Sequence, residues 1–138
     1  MRTRRIAVFL ASFVLLVPAW SGRKQIRVDH QKVTAPLADF PVLVTTTDSD
    51  LRTIVNGGQV AGADGSDIVF TAADGTTRLA HELVHYNGAT GEVAAWIKVP
   101  VLSAATDTVL YAYFGNPNAA ADPARRRSST AVIMACFI

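Results

Sequence analysis

The chain has 138 residues, half of them apolar and 17% charged, with nine glycines, six prolines and one cysteine; this fits one globular domain and excludes a disordered chain, a collagen and a disulfide scaffold. The formal net charge is +2, but between Trp20 and Ala124 there are seven Lys and Arg residues against eleven Asp and Glu residues. The body of the chain is therefore acidic, and we expect no nucleic-acid partner.

The first nineteen residues predict a secretory signal peptide. Three arginines lie within the first five residues, an uncharged run covers 6–17, and Val17-Pro18-Ala19 offers side chains of the kind that a signal peptidase reads. A helix over these twelve uncharged residues would rise about 18 Å, which is short of a bilayer core of about 30 Å. We therefore expect cleavage near Trp20 and a secreted or cell-surface protein, for which an uncleaved signal anchor is the only expected contact with a membrane.

After the signal peptide, the chain shows the period of β-strands. Polar and apolar residues alternate over 25–28, and β-branched residues are frequent over 40–46, so both segments are predicted strands. Between 48 and 55 the sequence suits a short helix of at most two turns, which Asp48 or Ser49 would cap.

The middle of the body predicts a hairpin. A third strand covers 67–71, and the pair Asp74-Gly75 then predicts a tight turn, because such turns need residues that tolerate a positive φ. A return strand is expected over 77–86, before the next glycine-containing turn.

Two more strands complete the predicted fold. The first has Trp96 and Lys98 on one face and is expected to end at Pro100. Its opposite face is apolar and consists of Val93, Ala95, Ile97 and Val99. Residues 106–114 are apolar on both faces, which predicts a central strand. Short strands, frequent turns and almost no helix together predict an all-β domain over 20–117, an antiparallel, jelly-roll-like β-sandwich.

Several linked motifs in this body carry a resemblance to a known family. They are Trp20-x-x-Arg23-Lys24-x-Ile26-x-Val28-Asp29, Leu37-x-Asp39-Phe40-Pro41-Val42-Leu43-Val44, Asp67-Ile68-Val69-Phe70-Thr71-x-x-Asp74-Gly75-Thr76, His81-Glu82-Leu83, Ala95-Trp96-Ile97-Lys98-Val99-Pro100 and Tyr113-Phe114-Gly115-Asn116. In order and spacing this set resembles the bacterial and archaeal extracellular family known as domain of unknown function 2341, over Trp20 to Pro117. The resemblance implies an exported β-sandwich module, of a kind found ahead of lectin-like jelly-roll domains in larger surface or secreted proteins. It implies no catalytic residues.

The segment 118–138 departs from that pattern. From Arg125 to Ile138 the chain differs from the segment with which such modules lead into a following domain, and Arg125-Arg126-Arg127 forms a basic cluster of its own. Our hypothesis is that this tail is a frameshifted or truncated remnant of a longer protein. Cys136 lies in the tail and is interpreted as incidental, because a single cysteine forms no internal disulfide.

The sharpest chemical motif is His-Glu-Leu-Val-His at 81–85, which matches the zinc-protease signature H-E-x-x-H. That chemistry needs a helix, on which His81 and His85 would bind one zinc while Glu82 held the attacking water. On a strand the two histidines would lie about 13 Å apart, too far for one ion. Because the flanking residues favour a strand, we expect neither zinc nor a catalytic residue here, and a zinc-dependent metallopeptidase is the alternative function.

Two weaker patterns suggest ligands. Asp64, Asp67 and Asp74 lie around glycine-containing loops and are candidate calcium ligands, although turn formation is the commoner role of such aspartates. A set of aromatic residues is a candidate platform for sugar rings, with core packing as the alternative. Its members are Trp96, Tyr86, Tyr111 and Tyr113.

From the sequence we therefore expect an exported, non-catalytic β-sandwich module of a secreted or cell-surface protein, with an accessory glycan-binding or adhesion role. Its expected partners are glycans or other surface proteins. We expect no cofactor, with calcium and zinc as the alternatives. The glycan role depends on analogy with the neighbouring domains of similar proteins.

Overall fold

The computed structural model describes residues 20–119, which form six β-strands and no α-helix. The strands are β1 (Gly22–Val28), β2 (Leu37–Thr47), β3 (Val69–Thr71), β4 (His81–Asn87), β5 (Glu92–Leu102) and β6 (Thr108–Phe114). The predicted signal peptide, the Arg125 cluster and Cys136 lie outside the described residues. Within that range, no helix has the length and apolar character needed to cross a bilayer.

The strands form two antiparallel three-stranded sheets, in the orders β1-β6-β3 and β2-β5-β4. Only β4 and β5 follow each other within one sheet; every other connection crosses to the opposite sheet. The strand with two apolar faces, β6, is the central strand of its sheet, as its sequence predicts. The likeness to a jelly roll, which has eight strands, stays a prediction.

One hydrophobic core lies between the two sheets. The central strands β5 and β6 supply most of it, because alternate residues of a strand point to the same face. The buried residues of these two strands are Val93, Ala95, Ile97, Val99, Leu102, Leu110, Ala112 and Phe114. On β5 the inward face is the predicted one, with Trp96 and Lys98 on the opposite face. The prediction of an antiparallel β-sandwich is confirmed.

The short helix predicted over 48–55 is replaced by two separate 3-10 turns, Ser49–Leu51 and Ile54–Asn56. Asp48 caps the first turn as predicted, since its side chain accepts a hydrogen bond from the Asp50 backbone N–H at 2.9 Å. The helix does not continue because Thr53 is extended and donates its backbone N–H to the Gly88 carbonyl at 2.9 Å. A bond to a distant loop thus overrides the local helical tendency.

The return strand predicted over 77–86 is divided between the two sheets. The Asp74-Gly75 turn forms, with a φ of 72° at Gly75, and Thr71 forms an isolated antiparallel bridge with Arg78. After that bridge the chain crosses to the opposite sheet, where β4 pairs with β5. The turn residues predicted the hairpin correctly. The predicted length of its return strand is wrong, because the second half of that segment pairs with β5 in the opposite sheet.

Pro100 does not end its strand, since β5 continues to Leu102. The pairing of β4 with β5 runs only as far as Ile97, so the missing N–H of Pro100 removes no hydrogen bond on that side. On the other side the ladder with β2 skips Asp39, which has a φ of 51°. The proline is tolerated because it lies where the ladder is already interrupted.

Candidate functional site

The two histidines of the His-Glu-Leu-Val-His motif lie on opposite faces of β4. His81 pairs with Ile97, which points into the core, whereas His85 pairs with Ala94, whose side chain is on the outer face. On a regular strand, residues four apart share a face. A register shift between Leu83 and His85 places one extra residue in the strand and reverses this relation. The structure therefore does not bring the two imidazoles to one ion.

The two histidines also have different surroundings. His81 is 3% exposed, its Nδ1 lies 3.0 Å from the Leu79 carbonyl oxygen, and its ring packs edge-on to Phe70 at 5.1 Å between centroids. His85 is exposed, and its Nε2 lies 3.5 Å from a carboxylate oxygen of Glu92. His81 therefore packs in the core, and His85 belongs to the surface.

The candidate calcium ligand Asp67 is a buried clamp. Its side chain is 2% exposed, and its two carboxylate oxygens accept hydrogen bonds from the backbone N–H groups of Ala61, Gly62 and Gly115, each at 2.8 Å. Gly115 directly follows β6, so this carboxylate ties the end of that strand to the loop before β3. Its oxygens are engaged in holding the chain.

The other two candidate calcium ligands serve local turns. Asp64 accepts a hydrogen bond from the Ser66 backbone N–H at 3.0 Å. Asp74 accepts from the backbone N–H groups of Thr76 and Thr77 at 2.9 and 2.8 Å. Hydrogen bonds from the Thr77 hydroxyl and from these two backbone groups lower the pKa of Asp74 to about 2. The three aspartates do not form a metal-ligand cluster in the described part of the chain.

Two of the predicted platform residues do come together. Tyr111 and Tyr113 alternate with the buried residues of β6 and therefore lie on the outer face of the β1-β6-β3 sheet, with ring centroids 6.5 Å apart. Trp20, just before β1, extends this row, with its ring 6.2 Å from that of Tyr113. All three side chains are half-buried. We name Trp20, Tyr111 and Tyr113 the aromatic face.

Two arginines border the aromatic face. Arg23 is paired with Tyr113 across the β1–β6 ladder, and its guanidinium carbon lies 4.6 Å from the centroid of the Tyr111 ring. A hydrogen bond with the Tyr113 hydroxyl raises the pKa of Arg23. Arg78, brought beside β3 by its bridge to Thr71, lies 5.5 Å from the centroid of the Trp20 ring. Both distances are in the range of cation–π contacts.

The remaining two platform residues lie elsewhere. Trp96 is on the outer face of the β2-β5-β4 sheet, between Leu43 and Glu82 in the ladders. Tyr86 is half-buried and donates its hydroxyl to the Leu51 carbonyl at 2.9 Å. Burial, with smaller contributions from nearby carboxylates, raises the pKa of Tyr86 to about 12. The four predicted platform residues are thus divided between the two sheets, and a tryptophan and two arginines that the sequence analysis did not select lie beside Tyr111 and Tyr113.

A shallow pocket of about 420 Å³ lies at the other end of the same sheet. It is lined by Arg27, Asp29, His30, Gln31 and Asp107. Asp107 accepts hydrogen bonds from the backbone N–H of His30 at 3.0 Å and from the side chain of Arg27, and its carboxylate also lies beside Nδ1 of His30. These contacts, led by the backbone bond, hold the pKa of Asp107 well below its usual range.

The ligand atoms of Asp29, His30 and Asp107 are close enough together to share a metal ion. However, the Arg27 guanidinium is paired with the same Asp107 carboxylate, so a positive charge already occupies that site. The sequence analysis missed this cluster because only the pairing of β1 with β6 brings residue 107 to residues 27–31.

Comparison with known proteins identifies one family. The model of a family described as "Domain of unknown function (DUF2341)" matches residues 64–132, which is half of the 138 residues. This range begins and ends later in the chain than the resemblance described above. Neither the curated proteins nor the solved structures gave a significant match.

Proposed function

The chain belongs to the DUF2341 family, and from its geometry we propose that it is an exported, non-catalytic module that binds glycans through the aromatic face. The observation that carries this proposal is the row of three half-buried rings, with centroids 6.2 and 6.5 Å apart, on the outer face of one sheet. Tryptophan and tyrosine combine an apolar ring with a polar tip, which suits a ligand with both characters.

A sugar ring has such a mixed character, because one face presents C–H groups and the rim presents hydroxyls. The C–H face packs on aromatic rings, and the hydroxyls need hydrogen-bond partners beside those rings. Gln25 is paired with Tyr111 and is exposed, and Arg23 is paired with Tyr113 and is also exposed. Both side chains offer donors on the same outer face as the tyrosines.

Two features of the sequence support an extracytoplasmic role. The first nineteen residues have the charge and hydropathy pattern of a secretory signal peptide. The resemblance of the body to exported modules that precede lectin-like domains agrees with a function at a glycan-bearing surface. An accessory or adhesion role follows from glycan binding at such a surface.

The test is a glycan array probed with the purified full chain and two matched tryptophan variants. We expect Trp20→Ala to weaken glycan binding about fivefold, since one ring contact is worth on the order of 1 kcal/mol. Trp96→Ala removes the same side chain from the other sheet and should leave binding unchanged. Circular dichroism verifies that both variants are folded.

Two results would overturn the proposal. One is a wild-type chain that binds no glycan on the array. The other is an equal loss of binding in Trp96→Ala and Trp20→Ala, which would place the contact outside the aromatic face.

A further inference from the structure

Arg23 differs from the other two cations of β1 in having no carboxylate partner among the described residues. Lys24, the next residue, is paired with Asp48 and Asp50 at 3.0 and 2.6 Å. Arg27, on the same face of β1, is paired with Asp107. Within residues 20–119, Arg23 forms no ion pair, and its side chain is exposed. Its positive charge is therefore available to an anion from outside the chain.

The guanidinium of Arg23 is also held in place. It lies over the Tyr111 ring, 4.6 Å from the ring centroid, on a residue whose partner in the β1–β6 ladder is Tyr113. A cation that is already oriented loses less conformational entropy when it binds a ligand. Arginine presents its N–H donors as a planar fork that matches the two oxygens of a carboxylate.

The outer faces of the two sheets differ in the charged side chains that their strands carry. The outer face of β1 carries Arg23 and Arg27 at alternating positions, and Arg78 borders the same sheet. The β2-β5-β4 sheet carries Glu82 and Glu92 instead. Because Arg27 is paired with Asp107, Arg23 is the cation of β1 whose charge faces the tyrosines without a carboxylate partner.

We propose that the aromatic face is selective for saccharides that carry a carboxylate, namely uronic-acid polysaccharides, and that Arg23 binds that carboxylate. This inference rests on the proposed glycan-binding function. In a uronic acid the carboxylate is attached to the rim of the sugar ring. Because the guanidinium lies over the Tyr111 ring, a sugar stacked on the neighbouring Tyr113, whose ring centroid is 6.5 Å away, would present its rim carboxylate to that guanidinium.

The experiment compares each of three acidic polysaccharides with its own carboxyl-reduced form, which keeps the ring and the linkage and removes the charge. The probes are polygalacturonate, alginate and hyaluronan, and binding to the full chain is measured by affinity electrophoresis. We expect at least one acidic polymer to bind about tenfold more tightly than its reduced form, which is the scale of one charge-assisted hydrogen-bonded contact.

Three variants locate the effect. Arg23→Gln keeps a hydrogen-bond donor without the charge. It should weaken binding of the acidic polymer about tenfold and binding of the reduced polymer much less, so that the preference for the acidic polymer is lost. Arg23→Lys keeps the charge without the planar fork and should retain only part of the preference. Lys98→Gln removes one positive charge from the other sheet and is the matched control, with no expected effect.

The outcomes separate this inference from the function on which it rests. If the chain binds acidic and reduced polymers equally, carboxylate selectivity is wrong and glycan binding stands. If Lys98→Gln lowers the preference as much as Arg23→Gln does, the effect is one of overall charge and the role of Arg23 is wrong. If the chain binds none of these polymers, this inference is wrong. If the chain also binds no neutral glycan on the array, the proposed function is wrong as well.

Discussion

The outer faces of the two sheets are built by the same alternation of residues, but they differ in aromatic content and in charge. On the β1-β6-β3 sheet, two tyrosines of the central strand meet Trp20, and arginines border them. On the β2-β5-β4 sheet, Trp96 of the central strand lies between Leu43 and Glu82. An outward aromatic residue of a central strand therefore becomes part of an aromatic cluster only when neighbouring residues supply further rings.

The largest effect is expected at the clamp that holds the end of β6. Asp67→Ala removes the acceptor of three backbone N–H groups that are bound at 2.8 Å. Because hydrogen bonds to a charged group contribute about 1.5–3 kcal/mol each, we expect the free energy of unfolding to fall by at least about 3 kcal/mol. Urea denaturation measures this change. Because Tyr111 and Tyr113 lie on β6, the glycan binding proposed for the aromatic face should weaken as well.

The exposed Asp64, which accepts a hydrogen bond from the Ser66 backbone N–H, provides the control. Asp64→Ala should lower the free energy of unfolding by no more than about 1 kcal/mol. Equal effects of the two substitutions would contradict the clamp.

An intermediate effect is expected on β4 of the other sheet, whose two histidines lie on opposite faces of the strand. His81→Ala removes a buried ring that packs on Phe70 and should cost about 2 kcal/mol of unfolding free energy. His85→Ala changes an exposed side chain and should cost no more than about 0.5 kcal/mol. Thermal and urea unfolding of the two variants measure the difference.

The same pair of variants tests the separation of the two imidazoles. Neither substitution should change the zinc content of the purified chain, because the imidazoles lie on opposite faces of the strand. A stoichiometric zinc that both substitutions remove would contradict the register of β4 and revive the metallopeptidase alternative.

The smallest effect is expected at Asp107, which lies just before β6 at the end of the β1-β6-β3 sheet away from the aromatic face. Its pKa is lower in the folded state than the value of about 3.9 for an unfolded chain, so the carboxylate stabilises the fold above that pH and loses this contribution as the pH falls through its folded pKa. We therefore expect Asp107→Asn to melt at a lower temperature than the wild type at pH 5. The difference should shrink towards pH 2.

Thermal melting across that pH range is the measurement. A difference in melting temperature that stays constant from pH 5 to pH 2 would show that the charge of Asp107 does not contribute to the stability of the fold. The contacts of Asp107 would then stabilise the fold without its charge.

Local pattern predicted the strands better than it predicted their partners. The inward face of β5, the central place of β6 and the turn at Asp74-Gly75 follow from alternation and turn chemistry, which involve only neighbouring residues. Local pattern does not predict two other features, namely the division of the predicted return strand and the continuation of β5 past Pro100. Both depend on which distant strand supplies hydrogen bonds.

The same division applies to the candidate site. Tyr111 and Tyr113 belong to the predicted set of four aromatic residues, and they come together because alternate residues of one strand share a face. Trp20 and Arg23 were not selected for this surface, since their approach to the tyrosines requires the register between β1 and β6. Trp96 and Tyr86 were placed on the same platform because residue type alone does not reveal the sheet to which a residue belongs.

The sequence by itself determined the all-β character of this protein, the faces of its central strands and its family, since these depend on short-range periodicity and on linked motifs. The tertiary structure decided which rings and charges share a surface. It also placed the two histidines of one motif on opposite faces of a strand. The physical reason is that strand pairing joins residues far apart in the chain, and a single extra residue in β4 reverses the face that follows it.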